Sequence, residues 1–258
     1  MFKQLLKPLL IAPLPFIFMI YKAHHDVLQE QTIVDERLPE GLDGFRIFFI
    51  SDIHRRNIRK STLSSISLKV DAVIIGGDLT EKWVPLERSR KNIRALKKWN
   101  VPIYFVWGNN DYDAGKEKIA KLLQEENVTI LQESIQNIYK NNQILSLIGF
   151  DYYEDKRDQV GTALSDARGD YKILIAHSPT AIEELSEEEQ YKIHTFLAGH
   201  THGGQIRFLG YGPYKKGGYE LFHTTHKLVS EGYGYRLLPF RLVTNAECHV
   251  VTFQNKQI

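Results

Sequence analysis

The stretch Arg46-Ile47-Phe48-Phe49-Ile50-Ser51-Asp52-Ile53-His54 decides the fold of this chain. Its apolar first half has the length and composition of a buried β-strand, and two side chains able to bind a metal follow where that strand would end. Open α/β sheets build their sites outside the carboxyl ends of their strands. The stretch therefore predicts an α/β fold with a site at one edge of a sheet.

Four further polar blocks repeat this arrangement, and each directly follows a short apolar run. They are Gly76-Gly77-Asp78, Gly108-Asn109-Asn110-Asp111, Ala176-His177-Ser178-Pro179 and Gly199-His200-Thr201-His202-Gly203-Gly204-Gln205. Between the blocks, residues 58–69, 86–99 and 114–126 have the apolar spacing of amphipathic helices. Residues 135–139 and 143–148, separated by Asn141-Asn142, predict a β-hairpin.

Seven side chains from the five blocks predict a binding site for two divalent metal ions: Asp52, His54, Asp78, Asn109, His177, His200 and His202. The two carboxylate oxygens of Asp78 suit it to bridge two ions about 3.5–4 Å apart, the spacing of two-metal hydrolases. The four imidazoles favour manganese, our first expectation, or iron or zinc, because magnesium and calcium prefer shells made only of oxygen.

The bulk composition is that of an ordinary folded protein. The chain has 258 residues, of which 43% are hydrophobic and 25% are charged. Its 33 basic and 31 acidic residues leave a formal net charge of +2, so we expect no nucleic-acid polymer as a partner. The lone Cys248 excludes an internal disulfide.

The five blocks, in this order, resemble the calcineurin-like metallophosphoesterase family, whose pattern is D-x-H, G-D, G-N-H-[DE], H and G-H-x-H. The resemblance extends from Thr32 to Phe253. The segments Ser230-Glu231-Gly232 and Pro239-Phe240-Arg241 look like the bacterial branch that often carries N-terminal membrane or export segments. The resemblance implies a four-layer αββα sandwich, in which two mixed sheets are flanked by helices and the ions lie at the strand ends.

The family also implies how the ligands are divided and which reaction they serve. One ion would be held by Asp52, His54, Asp78 and His202, and the other by Asp78, Asn109, His177 and His200. A hydroxide bridging the two ions would attack phosphorus and hydrolyse a phosphoester or pyrophosphate bond. The expected substrate is a phosphorylated small molecule or a lipid-linked phosphate. The alternative is a weak or inactive family member that acts as a binding scaffold, although all seven ligands are retained.

The fourth block departs from the family pattern, because Asn110 stands where the family has a catalytic histidine. An amide cannot give up a proton at a useful pH. General acid catalysis is typically worth about 10²–10⁴-fold, and poor leaving groups need it most. We therefore expect Asn110 to favour activated diesters or anhydrides. Asp111 either keeps a catalytic role or caps the following helix.

Two arginines directly after the first block are candidates for binding substrate. Arg55 and Arg56 follow His54, where their guanidinium groups would grip an anionic part of the substrate. The alternative is that they form the solvated start of a helix. Arg207, just after the last metal block, is a further candidate for the same role.

The N-terminal segment is composed differently from the rest. Lys3 and Lys7 precede an apolar run from Pro8 to Tyr21 that is shorter than the roughly 20 residues of a spanning helix. The run predicts an uncleaved membrane anchor, an interfacial segment or a strand-like piece packed on the domain. We accordingly divide the chain into residues 1–30 and a catalytic domain of residues 31–258. We expect it at the cell membrane through an N-terminal anchor, with the cytoplasm as the alternative.

Overall fold

Two six-stranded sheets form the framework of the protein in the computed structural model, which describes residues 14–152 and 164–256. The strands of the first sheet are β1 (Asp26–Asp35), β2 (Arg46–Ile50), β3 (Ala72–Ile75), β4 (Ile103–Phe105), β5 (Thr129–Ile130) and β12 (Ala246–Asn255). Those of the second are β6 (Ser134–Lys140), β7 (Gln143–Gly149), β8 (Tyr171–Ile175), β9 (Thr195–Ala198), β10 (Gly218–Phe222) and β11 (Thr225–Val229).

Both sheets are mixed. The first has the order β1-β12-β2-β3-β4-β5, and only the β12–β2 pair is antiparallel. The second has the order β10-β11-β9-β8-β7-β6, with antiparallel pairs at its two edges. The predicted hairpin is confirmed as β6 and β7, and Asn141 and Asn142 make its turn with positive φ values of 50° and 61°.

Helices in the described ranges include α1 (Leu14–His24), α2 (Lys60–Ser64), α3 (Leu86–Leu96), α4 (Asn109–Glu125) and α5 (Glu187–Tyr191). Short 3₁₀ turns cover Glu40–Leu42, Lys97–Trp99 and His202–Gly204. The predicted helix over residues 58–69 shortens to α2. In contrast, α4 begins at Asn109, five residues earlier than its apolar pattern indicates, and bends at Gly115, whose φ is 113°.

Burial on both faces of the first sheet explains its continuous apolar strands. Along β2, Ile47 and Phe49 face the second sheet and pack with residues of β7, β8 and β9. Phe48 and Ile50 point the other way and pack with α3 and α4. The outer face of the second sheet is covered by the turns around α5. The predicted fold, two mixed sheets flanked by helices, is therefore confirmed.

The N-terminal segment corrects one prediction. Residues 14–24 form the 11-residue helix α1, which contacts the domain through Lys22 Nζ and Asn245 Oδ1, 2.9 Å apart. In the two ranges that the structure describes, no helix is long and apolar enough to cross a membrane. The prediction of an N-terminal membrane anchor is thus wrong for these residues, and residues 1–13 lie outside the described part. The boundary at residue 30 falls inside β1.

Candidate metal centre

The five polar blocks meet at one edge of the sandwich. Three of them follow β2, β3 and β4, which are parallel neighbours in the first sheet, and two follow β8 and β9 in the second. Backbone hydrogen bonds tie adjacent blocks together: Asp52 N donates to Gly77 O at 3.0 Å, and Gly199 N donates to His177 O at 3.0 Å. Because both sets of strands end here, side chains far apart in sequence converge on one place.

The backbone of these blocks adopts a strained conformation. Five of the seven predicted ligands have positive φ values between 51° and 73°: Asp52, His54, Asp78, His200 and His202. Each such residue costs on the order of 1 kcal/mol or more, and such strain clusters at functional sites. Gly77 permits one close approach, since a Cβ at this position would lie 2.5 Å from His177 Nδ1.

Two groups of buried ligand atoms form the centre. In the first, His54 Nε2 and His202 Nε2 are 3.0 Å apart, and Asp52 Oδ1 lies 3.4 Å from His202 Nε2. In the second, Asp78 Oδ2 and Asp52 Oδ1 lie 3.2 and 3.9 Å from His177 Nε2. Asp78 Oδ2 is also 3.7 Å from His54 Nε2, so one carboxylate oxygen lies between the two groups.

Asn109 and His200 complete the predicted set. Asn109 is the first residue of α4, and its side-chain oxygen is buried without a hydrogen-bond partner. The His200 ring lies beside that of His177, with 5.0 Å between ring centroids, and its backbone N–H donates to Asp52 Oδ2 at 3.1 Å. His200 is only partly buried, so its ring borders the opening of the centre.

The donor set fits divalent cations. Asp52 Oδ1 and Asn109 Oδ1 are buried polar atoms with no hydrogen-bond partner among the described residues, a costly arrangement that a bound cation would relieve. His177 Nδ1 contacts Gly76 O at 2.8 Å, which directs Nε2 toward the two aspartates. Imidazole nitrogens mixed with carboxylate and amide oxygens suit manganese, iron or zinc.

Comparisons with known proteins agree with this geometry. The family model for calcineurin-like phosphoesterases matches residues 45–204, which contain all seven predicted ligands. The chain belongs to the calcineurin-like phosphoesterase family. It is 38% identical over 216 residues to the uncharacterized protein YpbG of Bacillus subtilis (strain 168), covering 83% of this chain and 82% of that protein. It is 27% identical over 252 residues to the uncharacterized metallophosphoesterase YkuE of the same organism, covering 88% and 85%.

Solved structures share the fold of this calcineurin-like phosphoesterase. The sulfate thiohydrolase SoxB of Thermus thermophilus has a TM-score of 0.53 at 12% identity, over 84% of this chain and 57% of that one. The phosphopantetheinyl hydrolase of Mycobacterium tuberculosis has a TM-score of 0.50 at 12% identity, over 76% and 91%. At this identity the likeness shows the fold alone.

The pKa shifts differ among the buried groups of this calcineurin-like phosphoesterase. Burial alone would raise the pKa of Asp78, but the His177 and His54 imidazoles outweigh it and hold that pKa low. Burial lowers the pKa of His202 to about 3, helped by the nearby His54 and Arg241. Burial alone would lower the pKa of His177, but Asp78 and Asp52 raise it to about 10, so a cation that binds His177 must displace a proton.

Two buried residues beside the ligands had no predicted role at the site. Glu81 Oε2 lies 3.2 Å from His54 Nδ1, and carboxylates in this position orient a metal-binding histidine. Arg241, fully buried, places Nη2 at 3.1 Å from His202 Nδ1 and donates to the Glu231 carbonyl at 2.6 Å. Glu81 lies three residues after Asp78, and Arg241 lies in the Pro239-Phe240-Arg241 segment that resembles the family, so these positions were the available signals.

The structure places the two predicted catalytic residues differently from each other. Asn110 Nδ2 donates to Asp78 Oδ2 at 2.7 Å, and its backbone N–H donates to Asp78 Oδ1 at 2.8 Å. Asp111 is fully buried and accepts hydrogen bonds at 3.1 Å from the backbone N–H groups of Gly108 and Thr80. Asp111 therefore caps α4, the second of the two roles considered for it, whereas Asn110 touches the centre itself.

The predicted substrate-binding arginines have other partners in the structure. Arg55 forms an ion pair with Glu81. Arg56 is buried, pairs with Asp26 at 2.5 Å and lies over the Tyr233 ring, 4.3 Å from its centroid. Arg207 donates to the carbonyl oxygen of Gly203, within the last block, and to those of Gly210 and Tyr214, which follow it. Arg56 thus fixes β1 to the core instead of facing the metal centre.

Proposed function

We propose that this chain is a binuclear metal-dependent phosphoesterase that hydrolyses activated phosphodiesters or pyrophosphate-type bonds. The observation that carries the proposal is the position of Asp78 Oδ2, 3.2 Å from His177 Nε2 and 3.7 Å from His54 Nε2. One carboxylate oxygen between two buried imidazoles is where a ligand shared by two ions belongs. The family membership supports hydrolysis of a phosphoester as the reaction class.

The proposed cofactors are two divalent cations, manganese in the first place, with iron or zinc as alternatives. Such a pair supplies a hydroxide nucleophile near neutral pH and neutralises charge on the phosphoryl group. His54 and His202 would hold one cation with Asp52, and His177, His200 and Asn109 would hold the other. Asp78 would be shared between them.

Asn110 supports the proposed preference for activated substrates. Its amide donates to Asp78 Oδ2 at 2.7 Å, which steadies the shared carboxylate but offers no titratable proton. A leaving alkoxide must therefore depart without a proton from this position, whereas an aryloxide or phosphate leaves unaided. A phosphorylated small molecule or a lipid-linked phosphate with such a leaving group is the substrate we propose.

The test compares aryl and alkyl phosphodiesters of equal charge, using protein loaded with manganese. We expect the aryl ester to be turned over about 10²-fold faster or more, because general acid catalysis typically contributes at least this factor for a poor leaving group. Asp78→Asn, which keeps the size of the side chain, is the negative control and should lose activity on both. Equal rates on the two esters would contradict the leaving-group preference. Failure to hydrolyse any phosphorus compound would favour the binding scaffold.

A further inference from the structure

A groove next to the metal-binding blocks runs along the edge of the second sheet. This lysine groove has a volume of about 420 Å³ and is lined by residues that include Glu183, Thr201, Tyr214, Lys215, Lys216 and Lys227. The volume lies within the range of about 300–1,000 Å³ that is usual for small-molecule sites. A groove of this size accepts more than a phosphoryl group.

Two of its walls are attached directly to metal-binding blocks. Thr201 stands between His200 and His202, and Pro179, also in the lining, follows His177 by two residues. The Tyr214 ring lies 6.3 Å from the His200 ring, centroid to centroid. A substrate with its phosphorus at the centre therefore has one arm within reach of the groove.

Arg207 fixes the position of one wall relative to the metal centre. Its Nη1 donates to Gly203 O at 3.0 Å and to Tyr214 O at 2.5 Å, and its Nη2 donates to Gly210 O at 2.7 Å. One guanidinium group thus joins the last metal-binding block to the segment that carries Tyr214, Lys215 and Lys216. These hydrogen bonds hold the wall of the groove in a fixed position relative to the last metal-binding block.

The lining of the groove holds three lysines and two glutamates, which leaves one positive charge in excess. Lys227 Nζ lies 3.3 Å from Glu183 Oε1, and Lys215 Nζ lies 2.7 Å from Glu220 Oε2, so two of the three lysines face a carboxylate. Lys216 forms no ion pair with any residue in the described ranges. Lysine ammonium groups bind phosphate as point charges. Lys216, whose charge also acts on the buried Glu231 carboxyl outside the groove, is the lysine without an ion pair inside it.

We propose that the lysine groove binds a second anionic group of the substrate, beyond the scissile phosphorus, with Lys216 as its principal cation. This inference rests on the proposed phosphoesterase function and narrows its substrate class. The preferred substrate is a diester or anhydride with two substituents on the scissile phosphorus. One of these substituents is about the size of a sugar phosphate and carries a phosphate or carboxylate group. Small diesters without that group react at the same centre but leave the groove empty.

The test uses two chromogenic substrates with the same leaving group. One is a nucleoside p-nitrophenyl phosphodiester, and the other is the same compound with a second phosphate on its sugar. With wild-type protein loaded with manganese, we expect kcat/KM to be about tenfold or more higher for the doubly phosphorylated compound, the usual worth of one hydrogen bond to a charged group. In Lys216→Gln this ratio should fall to about one.

Two further variants control the interpretation. Lys121→Gln removes an equal charge from an exposed position on α4 and should keep the wild-type ratio. Glu183→Gln removes a carboxylate that competes for Lys227 and should raise the ratio. A wild-type ratio near one, a ratio retained in Lys216→Gln, or a ratio lost equally in Lys121→Gln would overturn the inference. If the wild type cleaved neither compound, the proposed function itself would fail.

Discussion

Replacement of Glu81 tests how the metal centre is held in place. Glu81 Oε2 lies 3.2 Å from His54 Nδ1, and both side chains are at least nine-tenths buried. Its other oxygen pairs with Arg55. The carboxylate therefore fixes the orientation of the imidazole and directs His54 Nε2 toward His202, 3.0 Å away. In Glu81→Ala the ring loses its partner, and the nitrogen that faces the centre is no longer held there.

The expected cost is a 10–100-fold loss of affinity for the cation held by His54, as is usual when the partner of a ligating histidine is removed. This corresponds to about 1.4–2.8 kcal/mol. The assay is a manganese titration against a competing chelator. Glu81→Gln keeps an acceptor oxygen and should lose less. Arg55→Met keeps the contact with His54 and should bind as the wild type does. Wild-type affinity in a folded Glu81→Ala protein would refute the assigned role.

Two other predictions concern the leaving group and stability. Asn110→His should raise kcat for alkyl phosphodiesters because an imidazolium donates a proton, and a protein with full metal content that shows no gain would argue against it. Glu126→Gln should lower the free energy of unfolding at pH 7 by about 1–2 kcal/mol, since Arg90, Arg94 and Lys97 surround this carboxylate and lower its pKa to about 2. That stabilisation is present above the ordinary value of 4.5, so the difference from wild type in urea unfolding should shrink below it. An unchanging difference between pH 7 and pH 3 would exclude this origin.

Strand positions followed from the sequence because burial on both faces leaves a clear pattern. The runs that became β2, β3, β4, β8 and β9 are almost wholly apolar and end on polar blocks, which places them in the middle of a sheet. Helix boundaries were harder to predict from the sequence. The start of α4 is set by Asp111, whose side chain accepts the Gly108 N–H at 3.1 Å, and apolar spacing does not report such a contact.

Side-chain partners around the metal centre were the least predictable feature. The order of the blocks indicates which residues can bind metal, but the pairing of Arg56 with Asp26 joins residues 30 positions apart on different elements. The same holds for Arg241, which contacts His202 from 39 positions away. Such contacts depend on how the segments pack, and a basic residue next to a motif carries no information about the direction of its side chain.

The proposed metal centre requires two cations that share Asp78. Elemental analysis of protein loaded with manganese and freed of excess metal tests this most directly. We expect about two ions per chain for the wild type and a clear loss in Asp78→Asn, because one carboxylate serves both positions. Fewer than one ion in the folded wild type, or an unchanged content in Asp78→Asn, would contradict the account.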